Sequence, residues 1–355
     1  MDENIWPSGR EIANAIISDS NILEKRIRDN YECFYAVDDD GDPCDEPTCE
    51  EGSFGIAFLM KNKLSESCPI CFRIWTKDAN QIDSRANFSE RQKLISRALH
   101  NSNLPYFLDF SYIPEAIKVG ERRIPGITMK WVDGLSLVEY VKKHASNSIL
   151  MNRLSEKFLQ MCRDLRKNGI SHGDLSCTNI MVTNDDEIRL IDYDSVHVPL
   201  MGNHFYQITG GVPGFQHPYR LANSSRLFTS SNDDNFSQQV IYLSLLAICK
   251  NTELVKYTDK ELLFLQKDFN TKETFVNSNA YKWISSIDDE KIKMLLEELK
   301  KSVSGSYNEI RSIVEIIDNY KSLIVFAGYC GTCGHHFLNQ TDLFCPDCGK
   351  KRETL

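Results

Sequence analysis

The chain has 355 residues, 41% of them hydrophobic and 10% aromatic, with a formal net charge of −9. That length allows two domains, or one large domain in two parts with an appendage, and the apolar content supports a packed core. The acidic balance argues against general nucleic-acid binding, and no run approaches the roughly 18 apolar residues of a membrane span. The start, Met1-Asp2-Glu3-Asn4, is too acidic for a secretory signal. Residues 1–30 read as a short helical preface, with Ser8 and Glu11 at capping-box spacing. A strand-like run follows from Glu32 to Val37, then an acidic turn from Asp38 to Asp42 and a glycine turn, Gly52-Ser53-Phe54-Gly55, before a second apolar run.

Cys68 to Trp75 reads as another strand, Ser89 to Leu99 as a helix, and Ile124 to Val132 as a strand ending in the turn signal Asp133-Gly134. Strand alternation puts Cys71 and Arg73 on one face. From Ser136 the pattern is mostly helical, and Val240 to Cys249 reads as a buried helix. Helical periodicity ends near Ser322, which gives expected domains of 1–132, 133–322 and 323–355. No internal repeat or low-complexity linker is present.

The helical part is interrupted by His172-Gly173-Asp174-Leu175-Ser176-Cys177-Thr178-Asn179-Ile180, followed by Ile191-Asp192-Tyr193-Asp194. An Asp, an Asn five residues on and an Asp after a hydrophobic strand are the polar groups of a phosphoryl-transfer site. Asp174 is placed to accept a proton from a hydroxyl, and Asn179 and Asp192 to hold Mg²⁺ against ATP phosphates. His172 is read as supporting the loop.

Twelve cysteines do not require a disulfide scaffold in a chain this large. Cys330-Gly331-Thr332-Cys333-Gly334 and Cys345-Pro346-Asp347-Cys348-Gly349 form two knuckles whose four thiolates can close a tetrahedral Zn²⁺ shell. A segment this short needs the metal to fold. The site points to a reducing compartment, so a cytoplasmic protein is expected. Cys44, Cys49, Cys68 and Cys71 are not read as a second site, because Cys68 and Cys71 would face opposite ways on a strand.

Residues 30 to 320 resemble the eukaryotic-like protein kinase superfamily. Trp6-Pro7, Leu104-Pro105-Tyr106-Phe107-Leu108-Asp109-Phe110, the His-Gly-Asp loop, Gly214-Phe215-Gln216-His217-Pro218 and the cysteine knuckles look like a bacterial group of such kinases, often described as serine/threonine kinases. The resemblance implies an α+β, bilobal protein-kinase-like fold, with a β-rich N-lobe, a helical C-lobe and a small C-terminal zinc ribbon. It implies ATP and Mg²⁺ as cofactors, beside Zn²⁺ in the ribbon. It places Gly52, Ser53, Phe54 and Gly55 over the phosphates, with Glu50 where the pattern has its first Gly and Ala57 in place of Val. Ala57 and Cys71 line the adenine pocket. Arg73 stands for the phosphate-binding Lys, and Glu90 is its expected ion-pair partner. Met129 guards the back pocket, and the backbones of Lys130 and Val132 bond the adenine edge. Asp234 resembles the start of a buried helix that holds the catalytic loop.

Departures from the pattern shape the functional expectation. Gly173 replaces the Arg that pairs with a phosphorylated activation loop, so such phosphorylation is not expected to be the main switch. Ser176 replaces a Lys that contacts the γ-phosphate, and Asp194 replaces a Gly, adding a carboxylate near the metal. The Glu that usually closes the 214–218 region is absent. The base and both metal ligands remain, so an active serine/threonine protein kinase is expected. The alternatives are an inactive nucleotide-binding scaffold and a small-molecule kinase of the aminoglycoside or choline kinase type. The 25-residue segment after Asp192, which resembles a peptide-binding platform, favours a protein substrate. The ribbon is expected to dock a partner or the kinase lobes, ahead of nucleic-acid contact through Lys350-Lys351-Arg352; no membrane association is expected.

Overall fold

In the computed structural model the described residues are 6–37, 42, 44–52, 54–77, 88–327, 332–333, 335 and 343–351, with only the backbone described at 66–68 and 321–327. The expectations on Met1-Asp2-Glu3-Asn4, on 38–41 of the acidic turn, on Ser53, on the Cys68 side chain, on Cys330 and on Arg352 fall outside them. The chain divides into two compact units, one of residues 1–140, 164–212 and 219–233, the other of residues 141–163, 213–218 and 234–355. The 172–194 segment therefore groups with the strand-rich part rather than with the helices after Ser136.

The first unit is built on an antiparallel sheet in the order β1 (Tyr31–Cys33), β3 (Gly55–Asn62), β4 (Ser65–Trp75), β6 (Arg122–Lys130), β5 (Phe110–Val119), with β2 (Cys49–Glu51) also on β3. The strand expected from Glu32 to Val37 is cut to three residues for a topological reason. One edge of β3 is shared: β1 pairs it at Met60–Asn62, and β2 takes it at Ile56–Phe58. Alternation sorts the two sheet faces. Ile56, Phe58 and Met60 of β3 and Ile70, Phe72 and Ile74 of β4 join one buried cluster. Ala57, Cys71 and Arg73 take the opposite face, with Ala57 directly across from Arg73 and Cys71 across from Met129.

The helical preface closes the apolar face. Helix α1 (Gly9–Ile16) begins at Ser8, whose Oγ accepts from Glu11 N while the Glu11 carboxylate accepts from Ser8 N at 2.8 Å, as the spacing predicts. Its Ile12, Ala15 and Ile16, with Ile27 from α2 (Lys25–Asn30), sit in the cluster. The Trp6 indole N–H donates to Trp75 O at 2.9 Å, tying the preface to the end of β4. Helix α3 (Phe88–Ser102) extends the predicted helix at both ends. Strand β7 (Gly134–Ser136) pairs with β8 (Ile180–Thr183), which forms a hairpin with β9 (Ile188–Leu190).

The second unit holds the end of α4 (Leu137–His144), most of α5 (Ser148–Lys167), the start of α6 (Pro218–Asn223), and helices α7 (Asn235–Lys250), α8 (Lys272–Asn277), α9 (Asn279–Ser285), α10 (Glu290–Ser304) and α11 (Ile313–Ala327). Helix α7 is buried on nearly every face, as its uniformly apolar run predicts, with Asp234 buried at its start. Two of its polar side chains find partners far along the chain: Asn235 Nδ2 donates to Ile310 O and Gln239 Nε2 to Arg311 O. Phe264, Phe269 and Phe275 stack beside Phe236. Helix α11 runs five residues past the boundary expected near Ser322. Among the described residues no helix is long and apolar enough to cross a membrane.

Candidate active site

The β8–β9 hairpin sets the core of the site. Ile180 pairs with Leu190, so the residues just outside the pairing, Asn179 and Ile191, meet: Ile191 N donates to Asn179 O at 3.0 Å. Asp192 comes next and holds a left-handed backbone at φ +63°, an uncommon conformation for a side chain other than Gly. Such local strain persists where the surrounding structure demands it, often at functional positions.

The loop from His172 is held by its own polar atoms. The buried His172 donates from Nε2 to Ile191 O at 2.8 Å, and its Nδ1 accepts from Asp174 N at 3.3 Å. This bears out its reading as a supporting residue. Asn179 Nδ2 donates to Asp174 O at 2.8 Å, which leaves the amide oxygen as the group available to a cation. Asn179 and Asp192 thus offer hard oxygen donors of the kind Mg²⁺ prefers. Burial pushes the Asp174 carboxyl up, opposed by the Val212 N–H that donates to its Oδ1 at 2.7 Å. A raised carboxyl suits proton exchange with a hydroxyl better than an ordinary one.

Arg73 reaches this centre from β4. Its Nη1 lies 2.9 Å from Asp192 Oδ1 and 2.8 Å from Asp194 Oδ2. Burial opposes its charge, but Asp192 and then Asp194 outweigh that and raise its pKa. The expected partner Glu90 does not take this place: its side chain is exposed on α3. Helical geometry explains the correction, since the face of α3 turned inward carries Arg91 and Gln92, both buried. Gln92 Nε2 sits 3.5 Å from Asp194 Oδ1. Burial pushes the Asp194 carboxyl up to about 6, while Arg73 pulls it down.

The other described residues expected to bind nucleotide fall on the same unit. Gly52 N donates to Gly55 O at 2.8 Å, closing the glycine turn around Phe54. A Cβ at Gly55 would meet Ile74 O at 2.8 Å and Arg73 Nε at 3.1 Å, so the turn lies against the cation only because it lacks a side chain. Ala57, Cys71 and Met129 share the Arg73 face. Burial pushes the Cys71 thiol up to about 11, which makes it a wall rather than a nucleophile. Lys130 ends β6, and the irregular segment through Val132 follows, with Trp131 N bonded to Pro69 O. Ser176 is buried, its hydroxyl 3.0 Å from that of Thr178.

Several contributors were not legible beforehand. Tyr193 is buried, donates to Leu190 O and accepts from Leu108 N at 2.9 Å, with Phe107 and Phe110 against its ring. This packing gives the 104–110 motif a structural purpose. Arg220, also buried, donates from Nη2 to Gly173 O and from Nε to Gln207 Oε1. Gln207 in turn donates to Asp233 at 3.0 Å. No sequence pattern links these positions; only the path of the chain between 195 and 233 does.

At the C-terminus, the thiols of Cys333, Cys345 and Cys348 lie within 4.8 Å of one another. Gly349 N donates to Cys345 O at 2.8 Å, and Gly349 has φ +70°, the tight turn expected of a knuckle. Three converging sulfur donors fit a thiophilic metal.

Residues 92–198 match the ABC1 atypical kinase-like domain. That stretch contains Asp174, Asn179, Asp192 and Asp194 and begins after Arg73. One similar curated protein is Serine/threonine-protein kinase Nek3 of Oryza sativa subsp. japonica, 27% identical over 179 residues, or 49% of this chain and 28% of that protein. The chain spans less than a third of that relative's length. These likenesses support a protein-kinase-like family, and the fold is α+β and protein-kinase-like, with a curled antiparallel sheet part and a helical part.

Proposed function

We propose that this protein is an ATP- and Mg²⁺-dependent phosphotransferase that phosphorylates a serine or threonine of another protein. The observation that carries this reading is the convergence of Asp174, Asn179 and Asp192 on one loop and hairpin, with the Arg73 cation against Asp192. Mg²⁺·ATP supplies the phosphoryl group and the charge neutralisation that its transfer needs. Asn179 and Asp192 hold the metal, and Arg73 steadies the phosphates beneath the Gly52–Gly55 turn, with Phe54 at its tip. Ala57, Cys71 and Met129 form the wall beside the adenine, whose edge the backbones of Lys130 and Val132 bond. Asp174 accepts the acceptor's proton as the hydroxyl oxygen bonds the γ-phosphorus and the bond to ADP breaks. Most of the rate comes from positioning and electrostatics rather than covalent chemistry.

A protein acceptor is supported by the segment after Asp192, which returns Val212 to Asp174 and continues to Gly214–Pro218. The match is to an atypical kinase-like domain, and a small-molecule acceptor is the second reading. We also assign Cys330, Cys333, Cys345 and Cys348 to a structural Zn²⁺ in a ribbon that docks a partner. Purified protein incubated with labelled ATP, Mg²⁺ and host lysate separates the readings. The account expects label in protein. Label confined to metabolites would replace the acceptor class, and ATP binding without turnover would make the chain a nucleotide-binding scaffold.

A further inference from the structure

We propose that Asp194, two residues after the metal ligand, is the counter-ion that positions Arg73 when nucleotide is bound, in place of an acid on helix α3. The inference rests on the functional reading above and deepens it. Arg73 Nη1 touches two carboxylates at nearly equal distance, 2.9 Å to Asp192 and 2.8 Å to Asp194. Their surroundings differ: the Asp192 side chain is 41% exposed and that of Asp194 is 5% exposed. A metal ligand must be reachable, which suits Asp192. It cannot give its charge fully to a metal and to Arg73 at once. Asp194 lies too deep to meet the metal from solvent, and its other oxygen is held near Gln92 of α3. It therefore keeps the guanidinium aimed while Asp192 turns to the cation.

Two further facts fit this division. On α3 the neutral amide of Gln92 approaches Asp194 and the buried Arg91 cation also acts on it, while the nearby acid Glu90 is exposed. Asp194 also sits in the short 3-10 turn Tyr193–Ser195, which the Tyr193 hydroxyl anchors to Leu190 O. The cation and its counter-ion are thus fixed by β4 and by the turn after β9, and the pairing does not wait on movement of a helix acid. Asp194 acts through Arg73 and is a positioning residue.

The test is a double-mutant cycle read as KM for ATP and as binding of a fluorescent ATP analogue, with folding followed by thermal melting. Asp194→Asn is expected to raise KM for ATP at least tenfold with a smaller change in kcat, and Asp194→Glu to restore part of it. Glu90→Gln is expected to stay within twofold of wild type. In an Arg73→Met background Asp194→Asn is expected to add nothing, because the group it positions is gone. Additive effects of Asp194→Asn and Arg73→Met would overturn the proposal. So would a Glu90→Gln variant as impaired as Arg73→Met, an outcome readable even if Asp194→Asn fails to fold. Wild-type protein that binds no ATP would overturn the phosphotransferase reading itself. Wild-type binding unchanged in Asp194→Asn would overturn this inference alone.

Discussion

Gly173 has φ +76°, and a Cβ there would run into the backbone carbonyl of Ser195. The position rejects any side chain, so the Arg that related kinases carry beside the catalytic Asp has no room in this loop. A cation arrives from elsewhere instead: Arg220, 47 residues on, donates to the Gly173 carbonyl and is locked by Gln207. The brace runs from Arg220 through Gln207 to Asp233. Gly173→Ala is expected to cost about 2 kcal/mol or more, from left-handed strain plus the clash, read as a lower urea midpoint with unchanged m-value. At this scale the grouping of Asp174, Asn179 and Asp192 was legible, because the three are local in sequence. Their partners were not. Glu90 was placed by its distance along the chain from Arg73, whereas the pairing is decided by which face of α3 turns inward and by Asp194 beyond the hairpin.

Elements with a strong local signal came through. The Ser8–Glu11 box starts α1, the apolar run from Val240 lies within α7, and the hydrophobic strand expected before Asp192 is present, as β9 of a hairpin. An element whose end depends on a distant partner did not: β1 stops early because β2 competes for the same edge of β3. Among the described residues around the cysteine knuckles, Leu343 and Phe344 are exposed and offer little apolar burial that would hold the segment without metal. Chelation is expected to strip one equivalent of zinc per chain and to abolish a low-temperature, metal-dependent melting step, with Cys345→Ser reproducing the loss. Metal analysis paired with calorimetry checks this; a chain without zinc, or melting indifferent to chelator, would remove the structural-zinc assignment.

Across the whole chain, the resemblance read from motifs and the matches to known proteins agree on a protein-kinase-like character. The matched stretch from 92 to 198 covers the loop at 172–180 and the hairpin after it, while Arg73 on β4 and the glycine turn precede it. In the structure Arg73 reaches Asp192 within the same compact unit. Composition set limits without naming a substrate: a net charge of −9 sets an expectation against general polyanion binding and no more. The central claim is that Asp174 is the group that accepts the acceptor's proton. The most direct measurement compares wild type and Asp174→Asn for phosphate transfer from labelled ATP, alongside ATP-analogue binding. The account predicts transfer reduced about 10²–10⁴-fold with nucleotide affinity preserved. Undiminished transfer in Asp174→Asn would contradict it.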